Sequence, residues 1–281
     1  METYKKVDNS MFSEFDTDYK DGILTLRLAS WDEFHSVVKK FNNYPDYFWR
    51  GQKDNKTLWS SFDQYLECKK ISLNKKGRQE ELRRIMNNLK QSLKDLPNTH
   101  NIDFSKDDEV WAIRQHYGLK TPLLDWTESP YIAAYFSFYK KSEEKNSSRV
   151  IYALSRGLKL LMNGKNRFVE FDLPNNNFDS RQNHRLINQK GKFTIALEGK
   201  DIKSIVKEFW KTGNKKGKNY TTKVILAEIL VPDKFQDDCL AALKAMNITH
   251  GTLFPDYAGA VEICKIDLGI DNICCDSKIK K

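Results

Sequence analysis

The residues best suited to chemistry lie in four segments, and the first is an aromatic run that ends in a charge. Arg50 directly follows a predicted aromatic strand that begins at Tyr47, and Gly51 beside it leaves room for the backbone to approach a ligand. A guanidinium presents a fork of donors that suits phosphate or carboxylate, although a structural pair with a buried acid would use the same group. Together with the neighbouring Gln52, these residues predict a site that binds an anion.

The second segment, residues 114–127, places several reactive side chains between two predicted helices. His116 has a side-chain pKa suited to proton transfer, so it is a candidate base or ligand-orienting donor; the alternative is a satisfied interior histidine. Asp125 is either a partner for these groups or a cap for the following helix. The remaining candidates in the segment are Tyr117, Trp126 and Thr127.

Two later segments add polar groups. Arg185 and Gln189 lie in a polar loop before a predicted strand, where they offer hydrogen bonds to phosphate or amide groups. Asp256 lies in a loop between Pro255 and Gly259. Glu262 falls in a predicted alternating strand and should point away from the core, towards either solvent or a cleft.

The elements that must position these groups form an α+β pattern, with helices first and a mixed or antiparallel sheet after them. Apolar periodicity and capping residues predict helices at 31–41, 82–93, 107–117, 131–139 and 232–246. Strands are predicted at 47–49, 149–154, 193–197, 223–231, 251–254 and 260–266. We expect an N-terminal extension at 1–28, a single domain at 29–268 and a basic tail at 269–281.

Composition limits the class of protein. Of 281 residues, 40% are hydrophobic and 30% charged, which excludes a disordered chain. The chain shows no secretion signal or membrane span, and its five cysteines have no C-x-x-C spacing, so we expect a cytoplasmic protein without a structural zinc. The net charge of +9 favours polyanionic partners, or is simply a solvated lysine-rich surface. Trp210 and Tyr220 are interleaved with lysines and could stack on unpaired bases.

Four motifs, FWRGQ, QHYGLKTPLLDWTESPYIAAYFSF, HRLINQKGKFT and TLFPDYAGA, resemble the successive motifs of the FRG domain, which is named for its Phe-Arg-Gly segment. They occur in that family's order and span residues 31–259. Two positions depart from the pattern. Trp49 separates the phenylalanine from the arginine, and Pro122 follows Thr121 where the family often has an arginine.

A more distant resemblance is to ADP-ribosyltransferases of the Arg-Ser-Glu type. Those enzymes have an aromatic-Arg-Gly strand, a Ser-Thr-Ser strand leading into a helix, and a last strand with a carboxylate. The resemblance implies a split sheet, NAD as substrate, and no metal. It implies catalytic roles for Arg50, Thr127 and either Glu262 or Asp256. The residues expected to bind NAD are Arg50, Gly51, Gln52, His116, Tyr117, Asp125, Trp126, Arg185 and Gln189.

The two resemblances together imply an ADP-ribosyltransferase that acts as a toxin or anti-phage effector. The acceptor would be RNA, single-stranded DNA or a protein, and a neutralising antitoxin or chaperone would be a partner. Two alternatives remain open from the residues alone. One is a non-catalytic module that binds a ligand or partner, and the other is an NAD glycohydrolase that releases free ADP-ribose.

Overall fold

The computed structural model describes residues 8–42, 47–55, 57–94, 107, 110–111, 115, 118–141, 147–156, 167–169, 180–196, 198–215 and 224–268. Its centre is one eight-stranded mixed sheet in the order β1-β2-β8-β5-β3-β4-β7-β6. The strands are β1 (Asp16–Lys20), β2 (Ile23–Arg27), β3 (Tyr47–Gln52), β4 (Leu123–Thr127), β5 (Ser148–Ser155), β6 (Arg167–Val169), β7 (Gly191–Ile195) and β8 (Leu226–Pro232). Among the described strands, only the β2–β8 pair is parallel. The predicted α+β class is confirmed.

Helices cover both faces of this sheet. In chain order they are α1 (Trp31–Asn42), α2 (Ser61–Cys68), α3 (Lys75–Lys94), α4 (Pro130–Phe138), α5 (Ser180–Asn188), α6 (Ile202–Lys215), α7 (Gln236–Ala245), α8 (His250–Leu253) and α9 (Tyr257–Asp267). Short 3-10 turns at Asn9–Phe12 and Asp233–Phe235 complete the set.

The two faces of the sheet have different partners, and alternation along each strand decides which residue meets which helix. Helices α1, α4, α7 and α8 pack on the face that carries Trp49, Ile151 and Ile229, which we call the α4 face. Helix α6 packs on the opposite face with Phe48 and Tyr152, which we call the α6 face. Consecutive side chains of β3 therefore pack against helices on opposite faces of the sheet.

Local capping explains why α4 begins where the sequence predicts. Ser129 accepts a hydrogen bond from the backbone of Ile132, and Pro130 occupies the first turn, where its missing N–H costs nothing. The helix is apolar on most sides because it lies between the sheet and outer helices.

The last two predicted strands are wrong, because capping outweighs the alternation of apolar residues. Thr249 and Thr252 form a reciprocal capping box that starts α8. The Asp256 carboxylate accepts from the Gly259 backbone N–H at 2.9 Å, which satisfies an N–H at the start of α9. Residues 251–254 and 260–266 are therefore mainly helical.

Within the segment 1–28, which the sequence predicts to be an N-terminal extension, strands β1 and β2 belong to the sheet. Each residue of β2 pairs with β8 in parallel register, from Ile23 with Leu226 to Arg27 with Leu230. Leu24 and Leu26 are fully buried. The basic tail at 269–281 and most of the predicted helix at 107–117 lie outside the described residues.

Gly51 brings β3 and α4 together, and its replacement by alanine should destabilise the fold by about 3 kcal/mol. An added Cβ would lie 1.8 Å from the Ala133 carbonyl oxygen and 2.6 Å from the Ser137 nitrogen. Both are helix backbone atoms, so no rotamer change relieves the clash.

Urea unfolding measures this effect, and Gly251→Ala is the matched control. A Cβ at Gly251 would meet only the Ile263 Cδ1 at 3.6 Å, within a helix that alanine favours. Equal unfolding midpoints for Gly51→Ala and the parent chain would contradict the packing described here.

Candidate functional site

A row of polar side chains crosses the α6 face at the centre of the sheet. Arg50 on β3 pairs with Tyr152 on β5, Tyr152 pairs with Glu228 on β8, and Glu228 pairs with Thr25 on β2. Paired residues on adjacent strands point to the same face, so these four side chains are neighbours. The Cα atoms of Arg50 and Glu228 are separated by two strand spacings, about 10 Å.

Arg50 stands where the sheet opens. Strands β3 and β4 pair at one position only, Trp49 with Thr127. Beyond it the Arg50 Nη1 donates to the Asp125 carbonyl oxygen at 2.8 Å and lies 3.9 Å from the Asp125 carboxylate. The guanidinium thus bridges the two strands where ladder bonds stop.

The Arg50 side chain retains unused binding capacity. It is 19% exposed, and its Nε is buried without a hydrogen-bond partner among the described residues. Burial lowers the pKa of this guanidinium, with Asp125 opposing, but an arginine stays charged throughout the physiological range. A buried cationic donor without a partner is well placed to take an anionic ligand.

Asp125 is held in place beside Arg50. The Gln115 side chain donates to its carboxylate and accepts from the Thr121 hydroxyl. Desolvation raises the pKa of Asp125 and Arg50 opposes this rise. The Asp125 side chain is 58% exposed, so its carboxylate is open to solvent beside Arg50.

Glu228 is a buried carboxylate at the other end of the row. It is 7% exposed, pairs with the Lys203 ammonium of α6 at 2.8 Å and accepts from the Thr25 hydroxyl at 3.5 Å. Between Arg50 and Glu228, the Tyr152 hydroxyl donates to the Asn55 side-chain oxygen at 2.9 Å. Burial, followed by the charge of Glu228, raises the pKa of Tyr152, so the phenol stays protonated.

Glu228 was missed by the sequence reasoning, although a signal for it existed. It is the one charge inside the apolar run 224–231, the strongest predicted strand. A carboxylate is a poor choice for a buried strand unless it is paired or has a task. What the sequence did not disclose is that β8 lies two strands from β3.

The two predicted catalytic carboxylates lie elsewhere. Glu262 is on α9 and not on a strand, where it pairs with Lys140 at 3.0 Å and Lys265 at 3.6 Å. The Lys140 ammonium holds the pKa of Glu262 below its ordinary value. Asp256 forms a two-pronged ion pair with Arg185 at the start of α9.

These carboxylates and Arg50 are on opposite sides of the sheet. Lys140 follows α4, and Arg185 lies over the ring of Phe254, a residue packed against the core of the α4 face. Arg50 points to the α6 face, because its neighbour Gly51 meets α4. The expected meeting of Arg50 with Glu262 or Asp256 is therefore wrong.

Thr127 and Gln189 also form their hydrogen bonds on the α4 side of the sheet. The Thr127 hydroxyl donates to the Gln189 carbonyl oxygen at 2.6 Å and accepts from the Ser129 backbone at 3.1 Å. The Gln189 amide donates to the Leu253 carbonyl oxygen at 3.1 Å. These bonds tie the end of β4 to α4 and α8, and they do not reach Arg50.

The remaining candidates divide between the site and its surroundings. Gln52 alternates onto the same face as Arg50, and its amide donates to the Thr57 carbonyl oxygen at 3.4 Å. Trp126 shares that face but is buried, with its indole N–H donated to the Thr194 hydroxyl at 2.9 Å. His116 and Tyr117 lie outside the described residues.

Trp210 cannot stack on nucleic-acid bases in this arrangement. It is 7% exposed and packs edge-on against Tyr19 at 5.9 Å, under Gly22. Tyr220, the other aromatic residue among the lysines, falls outside the part of the chain that is described.

The described ranges contain no group of three or more His, Cys, Asp or Glu side chains placed to hold a metal ion. Within the same ranges, no helix is both long and apolar enough to cross a membrane.

The fold and the site define an α+β protein with an arginine-centred polar row on one face of a mixed sheet. Residues 45–146 match the family model of the FRG domain. The match includes β3 with Arg50, β4 with Asp125, and α4; Glu228 lies beyond it. Neither a search of curated proteins nor a search of solved structures found a match.

Proposed function

We propose that the chain is an NAD-dependent ADP-ribosyltransferase whose site is the polar row on the α6 face. The observation that carries this proposal is the shared face of Arg50 and Glu228, two strands apart with Tyr152 between them. The reaction needs an anion-binding donor and a carboxylate within the span of one dinucleotide.

Glu228 takes the role that the sequence suggested for Glu262 or Asp256. The resemblance to Arg-Ser-Glu transferases calls for a carboxylate on a late strand, and β8 is the last strand among the described residues. The single β3–β4 pairing, which opens the sheet beside Arg50, is consistent with the split sheet of those enzymes.

The chemistry suits these two groups. The bond between the nicotinamide nitrogen and ribose C1′ breaks with its electron pair leaving on nicotinamide, and positive charge develops on C1′ and the ring oxygen. Arg50 would hold the pyrophosphate, and the Glu228 carboxylate would stabilise the developing charge. The acceptor then forms a bond to C1′ and loses its proton.

The acceptor and the biological role extend the proposal by resemblance alone. RNA, single-stranded DNA and proteins are the acceptors to test, and water as the acceptor would make the enzyme an NAD glycohydrolase. Membership of a toxin or anti-phage system, with an antitoxin or chaperone partner in the cytoplasm, belongs to the same proposal.

One observation favours a second candidate function, a non-catalytic binding module. Glu228 is already paired with Lys203, as a structural carboxylate would be. In that case Arg50 would still bind an anionic ligand, but NAD would not be consumed.

Arg50→Ala is expected to raise the KM for NAD by about 10- to 100-fold, because hydrogen bonds to a charged phosphate are lost. Arg50→Lys should have a KM for NAD between those of the parent chain and Arg50→Ala, since lysine keeps the positive charge but not the paired N–H donors of the guanidinium. The assay follows nicotinamide release and transfer of an adenylate label to RNA, DNA and protein. Equal rates for all three proteins would refute the role of Arg50. Ligand binding without nicotinamide release would favour the binding module.

A further inference from the structure

The Lys203 ammonium occupies a site that is built for a cation. It lies 2.8 Å from the Glu228 carboxylate, 2.5 Å from the Asn55 side-chain oxygen and 5.2 Å from the centre of the Tyr152 ring. An anion, a carbonyl-type oxygen and an aromatic face are three groups that each attract a positive charge. The Lys203 side chain is 16% exposed, so its head is largely removed from water.

The surroundings strengthen the attraction for a cation. Glu228, Asp201 and Asp54 add to the effect of burial in raising the pKa of Tyr152, while Arg50 opposes it. Three carboxylates therefore act on the charge of the Tyr152 phenol, and one guanidinium opposes them.

We propose that Glu228, Asn55 and Tyr152 form a cation subsite that Lys203 fills from within, and that a pyridinium cation takes this subsite when Lys203 withdraws. The inference rests on the proposed function, because the oxidised nicotinamide ring of NAD is such a cation. The Lys203 ammonium of α6 must therefore leave the Glu228 carboxylate before that carboxylate can act on the substrate.

Lys203 can withdraw without dismantling α6. It is the second residue of this helix, which stays docked through its buried side chains Ile202, Ile205, Val206 and Trp210. A lysine side chain has four rotatable bonds, so its head can leave for solvent while the helix stays docked.

The first test removes the occupant and supplies it again. Lys203→Ala deletes the side chain beyond Cβ, and propylammonium has the same three carbons and ammonium group. Propylammonium at ten times its Kd should raise the melting temperature of Lys203→Ala by about 2 °C or more. The melting temperature should not rise in three controls. These are the parent chain, Lys203→Met, in which the methionine side chain refills the space, and the Lys203→Ala/Glu228→Gln double variant. Propan-1-ol and sodium chloride control for the apolar group and for ionic strength.

A second measurement uses the unaltered chain, in case Lys203→Ala does not fold. The probe is 1-methylnicotinamide, a pyridinium cation with no leaving group, with neutral nicotinamide as its control. The cation should raise acylation of Lys203 by at least about threefold, since displacement returns the ammonium to solvent. Lys207, which is exposed already, should not change.

The outcomes separate the subsite from the reaction. No propylammonium effect on folded Lys203→Ala, or unchanged Lys203 acylation, overturns the subsite whatever NAD does. If the subsite binds cations but no variant consumes NAD, only the proposed function fails. If NAD is consumed, Lys203→Ala should raise kcat/KM by about tenfold, as expected when a competitor fills the site nine-tenths of the time; a fall would assign Lys203 to the reaction instead.

Discussion

Glu228→Gln is expected to lower the rate of nicotinamide release at saturating NAD by about 10²- to 10³-fold, and to raise the KM for NAD by a smaller factor. The change keeps the size of the side chain and its hydrogen bond to Thr25 but removes the negative charge. That charge acts on the positive charge at C1′, which is present in the transition state and much less so in bound NAD. An interaction made mainly in the transition state affects kcat more than KM.

The matched control is Glu262→Gln, the same substitution in a carboxylate on the other side of the sheet. Its loss should weaken the contacts with Lys140 and Lys265 without affecting catalysis. Circular dichroism and melting temperature establish that both variants fold. A large loss in Glu262→Gln with normal turnover in Glu228→Gln would reverse our reassignment of the carboxylate.

Glu228 also shows where sequence reasoning reached its limit at the site. The strand around it was predicted, and its charge was visible within an apolar run. Its relation to Arg50 depends on strand order, because β8 and β3 are separated by more than 170 residues and meet only through β5. No local pattern encodes which strands become neighbours, so the resemblance pointed to the later carboxylates, Asp256 and Glu262, instead.

The fold was predictable where a cap and an apolar stripe agree. Trp31, Phe34, Val37, Val38 and Phe41 repeat at helical spacing after Ser30, and α1 follows them. At residues 260–266 the two signals conflict. Val261 and Ile263 alternate around Glu262 as in a strand, but Asp256 caps a helix and Val261 is left exposed. The sequence does not predict the short strand β4, because the polar Asp125 interrupts its apolar residues and the segment resembles a site motif instead.

Arg149→Met is expected to lower the free energy of unfolding by about 3–5 kcal/mol, the usual cost of removing one partner from a buried ion pair. Arg149 is fully buried beneath the end of α4. Its guanidinium pairs with Asp233 and donates to the Ser137 and Lys140 carbonyl oxygens at 3.1 and 2.7 Å. These are carbonyls of the last turn of α4 and just beyond it, where a cation complements the helix dipole.

The Arg149 side chain matters for the site because its hydrogen bonds hold the end of α4 against the sheet. The same helix presses on Gly51, and Gly51 sets the position of Arg50 on the opposite face. Losing the guanidinium leaves Asp233 without its ion-pair partner and takes one donor from each of the two carbonyl oxygens, and no apolar side chain replaces these bonds. The Lys140 oxygen still accepts from the Gln236 side-chain amide at 3.1 Å. We therefore expect a lower urea midpoint and, in the folded fraction, weaker NAD binding.

Two further variants separate the buried pair from the simple loss of an arginine. Arg27→Met removes a guanidinium whose pair with Asp16 is exposed, and it should leave the urea midpoint nearly unchanged. Arg149→Met/Asp233→Leu should recover part of the loss, because no unpaired carboxylate remains, but not the contribution of the two carbonyl contacts. A midpoint for Arg149→Met as high as that of Arg27→Met would mean that α4 is held by apolar packing alone.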